Sequence, residues 1–353
     1  MATVFPGSPS NGDTYTPPGT ATKYSYNSSQ SRWEVVTNTN VKRAPTTHIF
    51  TSSDSAWTIP TGANAIYAMC IGAGGGGGGG YAAGNGGTSQ GGAGGGGGSV
   101  SIYMYNLISG YSTTAVITVG AGGLGGLGQS SDGVNVAASG ASGGTTSFQL
   151  ADSGTLATLT AGGGGGGNLG GSSDTTTYGD SQNGGAAIWK GGHGGAQGYG
   201  SGYGGVSTYT SFSNTFGAGG GGGGGGFSPD GLGGGVGGEG GACAAMAVMN
   251  IPFASYALVA DVATNGYPPA NTYVDTYYPA GTPACVYGPG QGGRGAPSEL
   301  SYDTAYYGGT GGLYGGGGGG GAACPSYFSG DYSYAGNGGD GAKGLVFLTV
   351  WYE

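Results

Sequence analysis

Short alternating or continuously apolar runs, each three to nine residues long, set the pattern of this chain. Thr14-Tyr15-Thr16, Lys23–Tyr26 and Trp33–Val36 are β-prone and are separated by turn chemistry at Pro17-Pro18-Gly19 and Asn27-Ser28-Ser29. They predict a β-meander over residues 1–36, with too little apolar mass to stand without a docking partner. Residues 37–47 read as a linker. His48–Phe50, Trp57–Pro60, Ala65–Ile71, Ser99–Leu107, Thr114–Val119 and Leu345–Tyr352 then predict strands. In Ser99–Leu107 the alternation sets Val100, Ile102 and Met104 on one face and Ser101, Tyr103 and Tyr105 on the other. Strands near both ends of 48–353 predict a sheet that the two ends complete together.

Between the strands the pattern vanishes, because the side chains do. Glycine supplies 95 of 353 residues, and uninterrupted runs fill 74–80, 94–98, 162–167, 219–226 and 315–321. The Gly-X-Y period of collagen is absent. A run without Cβ atoms can adopt an extended threefold polyproline-II-like helix, and neighbours can approach until N–H meets carbonyl. Five such runs inside a strand-bounded region predict packed polyglycine-II helices rather than linkers. The expected fold is mostly β: a short N-terminal meander, then a glycine-rich domain of strands and packed polyglycine-II helices over 48–353, with almost no α-helix. An ungapped offset of 145 residues lays 72–74 on 217–219 and 99–105 on 244–250, a faint internal repeat.

Charge narrows the partners. Only 7% of residues are charged and the net charge is −9, against nucleic-acid binding. Four of the seven basic residues (Lys23, Arg32, Lys42, Arg43) fall within the first 43 positions, so the two ends of the chain carry different jobs. Catalytic chemistry is missing: His48 and His193 are the only histidines, and no serine elbow, HExxH or phosphate loop occurs. The expectation is a non-enzyme without cofactor or metal. Cys70, Cys243, Cys285 and Cys324 lack CxxC spacing; buried small residues, or a disulfide between two of the last three, both remain open. The most apolar stretch, 242–260, is broken by Asn250, Pro252 and Ser255 and reads as a strand and turn, not a span. The residues after Met1 have neither the basic start nor the apolar core of a secretory signal.

Tyrosine crowds the connections between glycine runs. Tyr199, Tyr203, Tyr209 and Phe212 lie in one; Tyr267, Tyr273, Tyr277 and Tyr278 in a second; Tyr302, Tyr306 and Tyr307 in a third; Tyr332 in a fourth. Tyrosine among serine, glycine and asparagine is the composition of recognition loops, since the ring offers amphipathic area at little entropic cost. These twelve are the candidate receptor-binding residues. Tyr15, Tyr24, Tyr26 and Trp33 are the candidate anchoring residues of the N-terminal meander.

Particular residues also carry a family likeness. Phe5-Pro6-Gly7-Ser8-Pro9-Ser10-Asn11-Gly12-Asp13-Thr14-Tyr15, with Lys23–Asn27 and Trp33–Val36, resembles a short module recurrent in structural proteins of marine and cyanobacterial phages. Phe50-Thr51, Trp57–Pro60, Val116–Gly123, the Gly143–Phe148 step and Gly344–Phe347 resemble the glycine-rich domains of bacteriophage tail fibres. In style the chain is similar to polyglycine-sandwich adhesins, whose loops between glycine helices touch the host. The resemblance implies a virion protein, made in the host cytoplasm. It would attach to other virion proteins through residues 1–47 and contact a host surface glycan or outer-membrane protein, as a homotrimer. Two alternatives stand beside it: a purely structural virion component (head fibre, decoration or fibre shaft), and an ice-binding or cell-wall glycine-rich protein.

Overall fold

The computed structural model describes residues 5–17, 22–38, 43–83, 89–107, 113–130, 136–151, 158–171, 306–325 and 334–352, with single positions at 194, 218, 221, 224, 226, 290, 292, 293, 295 and 296. Everything described is strand, turn or extended chain, and no α-helix occurs among the described residues. Strands β1 (Thr14–Tyr15), β2 (Thr22–Asn27) and β3 (Arg32–Asn38) form an antiparallel meander in the order β1-β2-β3. The predicted third strand therefore runs two residues further, into the expected linker.

The second region is a pair of four-stranded antiparallel sheets. Strands β4 (Thr46–Phe50), β5 (Asp54–Thr58), β6 (Ala63–Ile71), β7 (Ala82–Ala83) and β8 (Val100–Asn106) come first. They are followed by β9 (Thr114–Thr118), β10 (Thr146–Leu150), β11 (Leu159–Ala161), β12 (Cys324–Pro325) and β13 (Leu345–Tyr352). One sheet has the order β4-β13-β6-β8 and the other β11-β10-β9-β5; β7 and β12 make a short parallel pair of their own. The C-terminal strand sits between β4 and β6, so the two ends of the region do complete one sheet. Its near-continuous apolar sequence follows, because both of its faces are covered.

The sheets face each other across a side-chain core. Ile66, Ala68, Cys70, Tyr105, Val346, Leu348 and Val350 of the first sheet meet Ala115, Ile117, Phe148, Leu150 and Leu159 of the second. Tyr105 and Phe148 pack edge-to-face, with ring centroids 5.2 Å apart. Fully burying such a side chain contributes about 1.5–3 kcal/mol. The alternation expected in β8 needs correcting here. Tyr105, on the more polar face, is fully buried in the core, whereas Met104, on the apolar face, is 49% exposed. Val100 and Ile102 instead join Met69, Ile71, Leu345 and Phe347 in a second cluster on the outer face of the sheet.

Six strands end, or begin, on a glycine-rich run at the same edge of the sandwich. Ile71, Leu345 and Val100 are register partners there, as are Thr146 and Ala161 in the other sheet. The runs leave as 72–81 after β6, 120–129 after β9 and 162–171 after β11. Runs 90–99, 136–145 and 335–344 arrive at β8, β10 and β13. Sheet spacing thus brings segments rich in glycine and other small residues alongside one another.

Candidate binding surfaces

Run 72–81 is the axis around which the other glycine runs pack. Its N–H groups alternate among three neighbours with a period of three residues. Gly75 and Gly78 donate to Gly96 and Ala93, Gly76 and Gly79 to Ala141 and Ala138, and Gly74, Gly77 and Gly80 to Ala342, Gly339 and Gly336, at 2.8–3.0 Å. Its carbonyls accept with the same period from three others. Gly164, Gly167 and Gly170 donate to Ala73, Gly76 and Gly79; Gly123 and Gly126 donate to Gly74 and Gly77; Gly318 and Gly321 donate to Gly75 and Gly78. All three accepting neighbours run antiparallel to 72–81, and all three donating neighbours run parallel.

The six neighbours also bond to each other in a closed ring. Run 90–99 donates to 162–171 (Ala93 to Asn168), 136–144 to 162–171 (Gly140 to Gly167) and 136–144 to 120–129 (Ala141 to Leu124). Run 335–344 donates to 120–129 (Gly338 to Gly126) and to 315–324 (Gly339 to Gly319), and 90–99 donates to 315–324 (Gly95 to Gly318). One segment enclosed by six, each bonded to the next, is hexagonal packing of backbone. Such a lattice explains why the axis has no side chains beyond Ala73 before Tyr81. A Cβ on Gly75 or Gly78 would fall on the carbonyls of Gly165 or Asn168. On Gly76 or Gly79 it would fall on those of Leu124 or Leu127, and on Gly77 or Gly80 on those of Gly319 or Ala322.

At the perimeter side chains return, and they keep the same period. Ala121, Leu124 and Leu127 are exposed, as are Val136, Ser139, Ser142 and Thr145, and likewise Tyr307, Thr310 and Leu313. Leu124 and Val136 are 69% and 75% exposed, more than any other large apolar residues described. These spacings were visible in the sequence as GGLGGL, and the signal that would have exposed them was a period of three.

The lattice has two ends. Near the sandwich lie Gly72, Ser99, Gly120, Gly162 and Gly344. The opposite tip carries Tyr81, the β7–β12 pair and the bridge between Ser130 and Tyr334. Tyr306 and Tyr307, two of the receptor candidates, stand at this tip: the Tyr306 carbonyl accepts from Ala322, beside Gly336. Tyr306 is half-buried, while Tyr307 and Tyr334 are 37% and 43% exposed. Tyr199, Tyr203, Tyr209, Phe212, Tyr267, Tyr273, Tyr277, Tyr278, Tyr302 and Tyr332 lie outside the described residues, as do His193, Cys243 and Cys285. Both residues flanking the stretch that holds Tyr332, Pro325 and Tyr334, are at the tip.

The other end is where the chain enters. Thr46 opens β4 opposite Val350, at the edge of the sandwich away from the lattice, and its hydroxyl bonds the Tyr352 hydroxyl at 2.7 Å. Arg43 lies over the Tyr352 ring, 4.2 Å from its centroid. His48 beside it bonds Thr46 and meets Trp57 edge-to-face; burial holds its pKa below the usual histidine range.

In the meander three of the four anchoring candidates pack against Phe5 and the fourth packs on Trp33. Phe5 stacks on Trp33 at 5.5 Å and meets Tyr15 and Tyr24 edge-on, while Tyr26 leans on Trp33 from the facing strand position. Each of the five rings stays partly exposed, giving an aromatic cluster at the surface of a three-stranded sheet. On its rim Arg32 pairs with Glu34 at 2.9 Å, and that hydrogen bond, followed by one from Asn27, lowers the Glu34 pKa.

Buried thiols and phenols are chemically quiet. Desolvation pushes up the Cys70 thiol, the Tyr105 phenol and, to about 12, the Tyr67 phenol. Cys324 is buried in β12 beneath Ser89, whose hydroxyl donates to its carbonyl. Among the described residues no three His, Cys, Asp or Glu side chains converge as a metal site, and no helix is long and apolar enough to cross a membrane. No protein-family model matches the chain, and no curated protein matches its sequence.

Proposed function

We propose that this chain is a bacteriophage tail-fibre or distal adhesin protein. Residues 1–47 would attach it to other virion proteins, and its tip tyrosines would contact a host surface glycan or outer-membrane protein. In this reading it is a homotrimer in the virion, binds no nucleic acid and carries no enzymatic site. The glycine runs are polyglycine-II helices. A threefold alternation of hydrogen bonds and six-neighbour packing are the signature of that conformation, and a rise of about 3.1 Å per residue would make the ten-residue axis roughly 30 Å long.

The observation that carries the reading is polarity. The N-terminal segment enters the sandwich at the edge away from the lattice, whereas Tyr81, Tyr306, Tyr307 and Tyr334 collect at the lattice tip. A glycine-rich lattice between an entry point and a tyrosine-bearing tip supports a reading in which attachment and recognition lie at opposite ends. Recognition by tyrosine suits both glycan and protein surfaces, because the ring supplies apolar area and the hydroxyl a hydrogen bond.

Competition with particle adsorption tests this. Purified full-length protein should bind host cells and reduce adsorption, and Tyr306→Ser with Tyr307→Ser should weaken that binding about tenfold or more, the scale of a hot-spot loss. Undiminished adsorption at saturating protein would overturn the receptor reading. Unchanged host binding with impaired particle assembly in the tyrosine variant would favour a purely structural virion component.

A further inference from the structure

Around the enclosed axis, each adjacent pair of ring segments defines one outer position where a further glycine segment can lie against both. Among the described residues, two of these positions hold hydrogen-bonded residues of the chain itself, and Gly194 also lies against 90–99, beside the Gly94 carbonyl. Segment 306–312 lies against 335–344 and 315–324, with Gly308 and Gly311 donating to Asn337 and Asp340 carbonyls and Gly319 donating to Gly309. Ala218, Gly221 and Gly224 lie against 90–99 and donate to Gly98, Gly95 and Gly92; a Cβ on Gly221 would meet Gly318 of the neighbouring run.

The position between 120–129 and 335–344 is filled differently. There the Gly125 N–H donates to Asp340 Oδ1 and the Gly128 N–H to Asn337 Oδ1, both at 2.7 Å. Asn337 and Asp340 are three residues apart, one lattice repeat, so their side chains reproduce the acceptors that a carbonyl ladder would offer. Between 136–144 and 162–171 the Leu169 N–H likewise takes Ser139 Oγ, at 3.3 Å. Lys343, one repeat beyond Asp340, reaches the Thr51 carbonyl and pins the same row to the sandwich.

We propose that Asn337 and Asp340 are edge guards. They close a lattice position built to accept a glycine run, and without them the position would take a glycine run from a second copy of this chain. The occupant is inferred from the comparable positions among the described residues, which 306–312 and Ala218, Gly221 and Gly224 of this same sequence occupy. The amides of Gly125 and Gly128 would supply the docking bonds. Edge strands in sheets face the same hazard of unpaired donors and are guarded in similar ways by charge and bulk. The guard role rests on the hydrogen-bonded lattice and is independent of what the tip binds.

Sedimentation velocity across a concentration series tests it on the full-length chain. Asn337→Gly with Asp340→Gly empties the position, and should at least double the sedimenting mass relative to wild type in a concentration-dependent manner. Asn337→Ala with Asp340→Ala removes the acceptors but leaves a Cβ in the way, and should keep the wild-type mass. Equal mass for the glycine variant and wild type would overturn the proposal, as would equal association of both variants. Should the double glycine variant not fold, Asp340→Gly set against Asp340→Ala carries the same two readings over half of the position.

Discussion

The sandwich and the lattice are held together by opposite means. In the sandwich, side chains such as Phe148, Ile66 and Leu348 leave water, and the backbone ladder merely spaces them. Along the axis of the lattice, nothing but backbone is available. Each hydrogen bond contributes only about 0.5–1.5 kcal/mol net, and every glycine gives up more conformational freedom than any other residue on folding. The lattice is therefore the costlier region to order, and it is ordered where six strands deliver its segments already in register. Glycine content alone does not set order or disorder. What matters is whether neighbours arrive close enough for backbone to meet backbone.

The largest expected effect lies on the axis. Gly78→Val puts a branched side chain on the Asn168 carbonyl, where only backbone could yield, and should leave no soluble, cooperatively melting protein. Gly7→Ala, with nothing within 4 Å of the added carbon, should melt as wild type. A thermal melt of both variants checks the contrast; equal melting temperatures would remove the close-packed account of the runs. Next comes the sandwich. Phe148→Ala should cost about 3–5 kcal/mol by denaturant titration, the usual range for a buried aromatic. Because strand ends position the glycine runs, amide exchange at Gly75–Gly79 should accelerate in the same variant.

Smaller effects probe the boundary between the regions. Asp340→Ala should cost about 1–2 kcal/mol, the scale of a lost hydrogen bond to a charged group partly open to water; denaturant titration reads it directly. Smallest is a pH effect at the sandwich edge. The pKa of His48 is lowered in the folded state by burial, so protonation favours the unfolded chain. Its contribution is present above the ordinary histidine pKa and is lost as pH falls from there toward the lowered folded value. Melting temperature should drop slightly more between pH 7.5 and 5.5 in wild type than in His48→Gln, by about 1–2 °C; parallel pH profiles would assign the fall to carboxylates.

Much of the strand content was legible. Leu345–Tyr352, Ala65–Ile71 and Thr114–Val119 carry β-branched or aromatic residues in runs that no helix period fits, and strands stand there. Strand β10 was harder to see: Thr-Ser-Phe-Gln-Leu has just two large apolar residues, and its pairing with β9 and β11 is what makes it a strand. The four aromatics of the meander were legible as a set, but the stacking of Phe5 on Trp33 was not, because Phe5 lies outside any strand. Tyr306 and Tyr307 were singled out from composition, and their position at the tip came only from the structure. The backbone-capping roles of Asn337 and Asp340 were not found, since two polar residues among glycines look like loop chemistry until a neighbouring run is placed beside them.

The order of residues settles where side chains are absent and where short apolar runs demand a sheet. Which glycine runs become neighbours, and which residues guard their edges, is settled in three dimensions alone. A run without side chains carries no partner preference of its own. Its N–H and C=O groups bond equally well to any backbone within reach, so the choice among neighbours falls to the strands at its ends and to the few side chains on the perimeter.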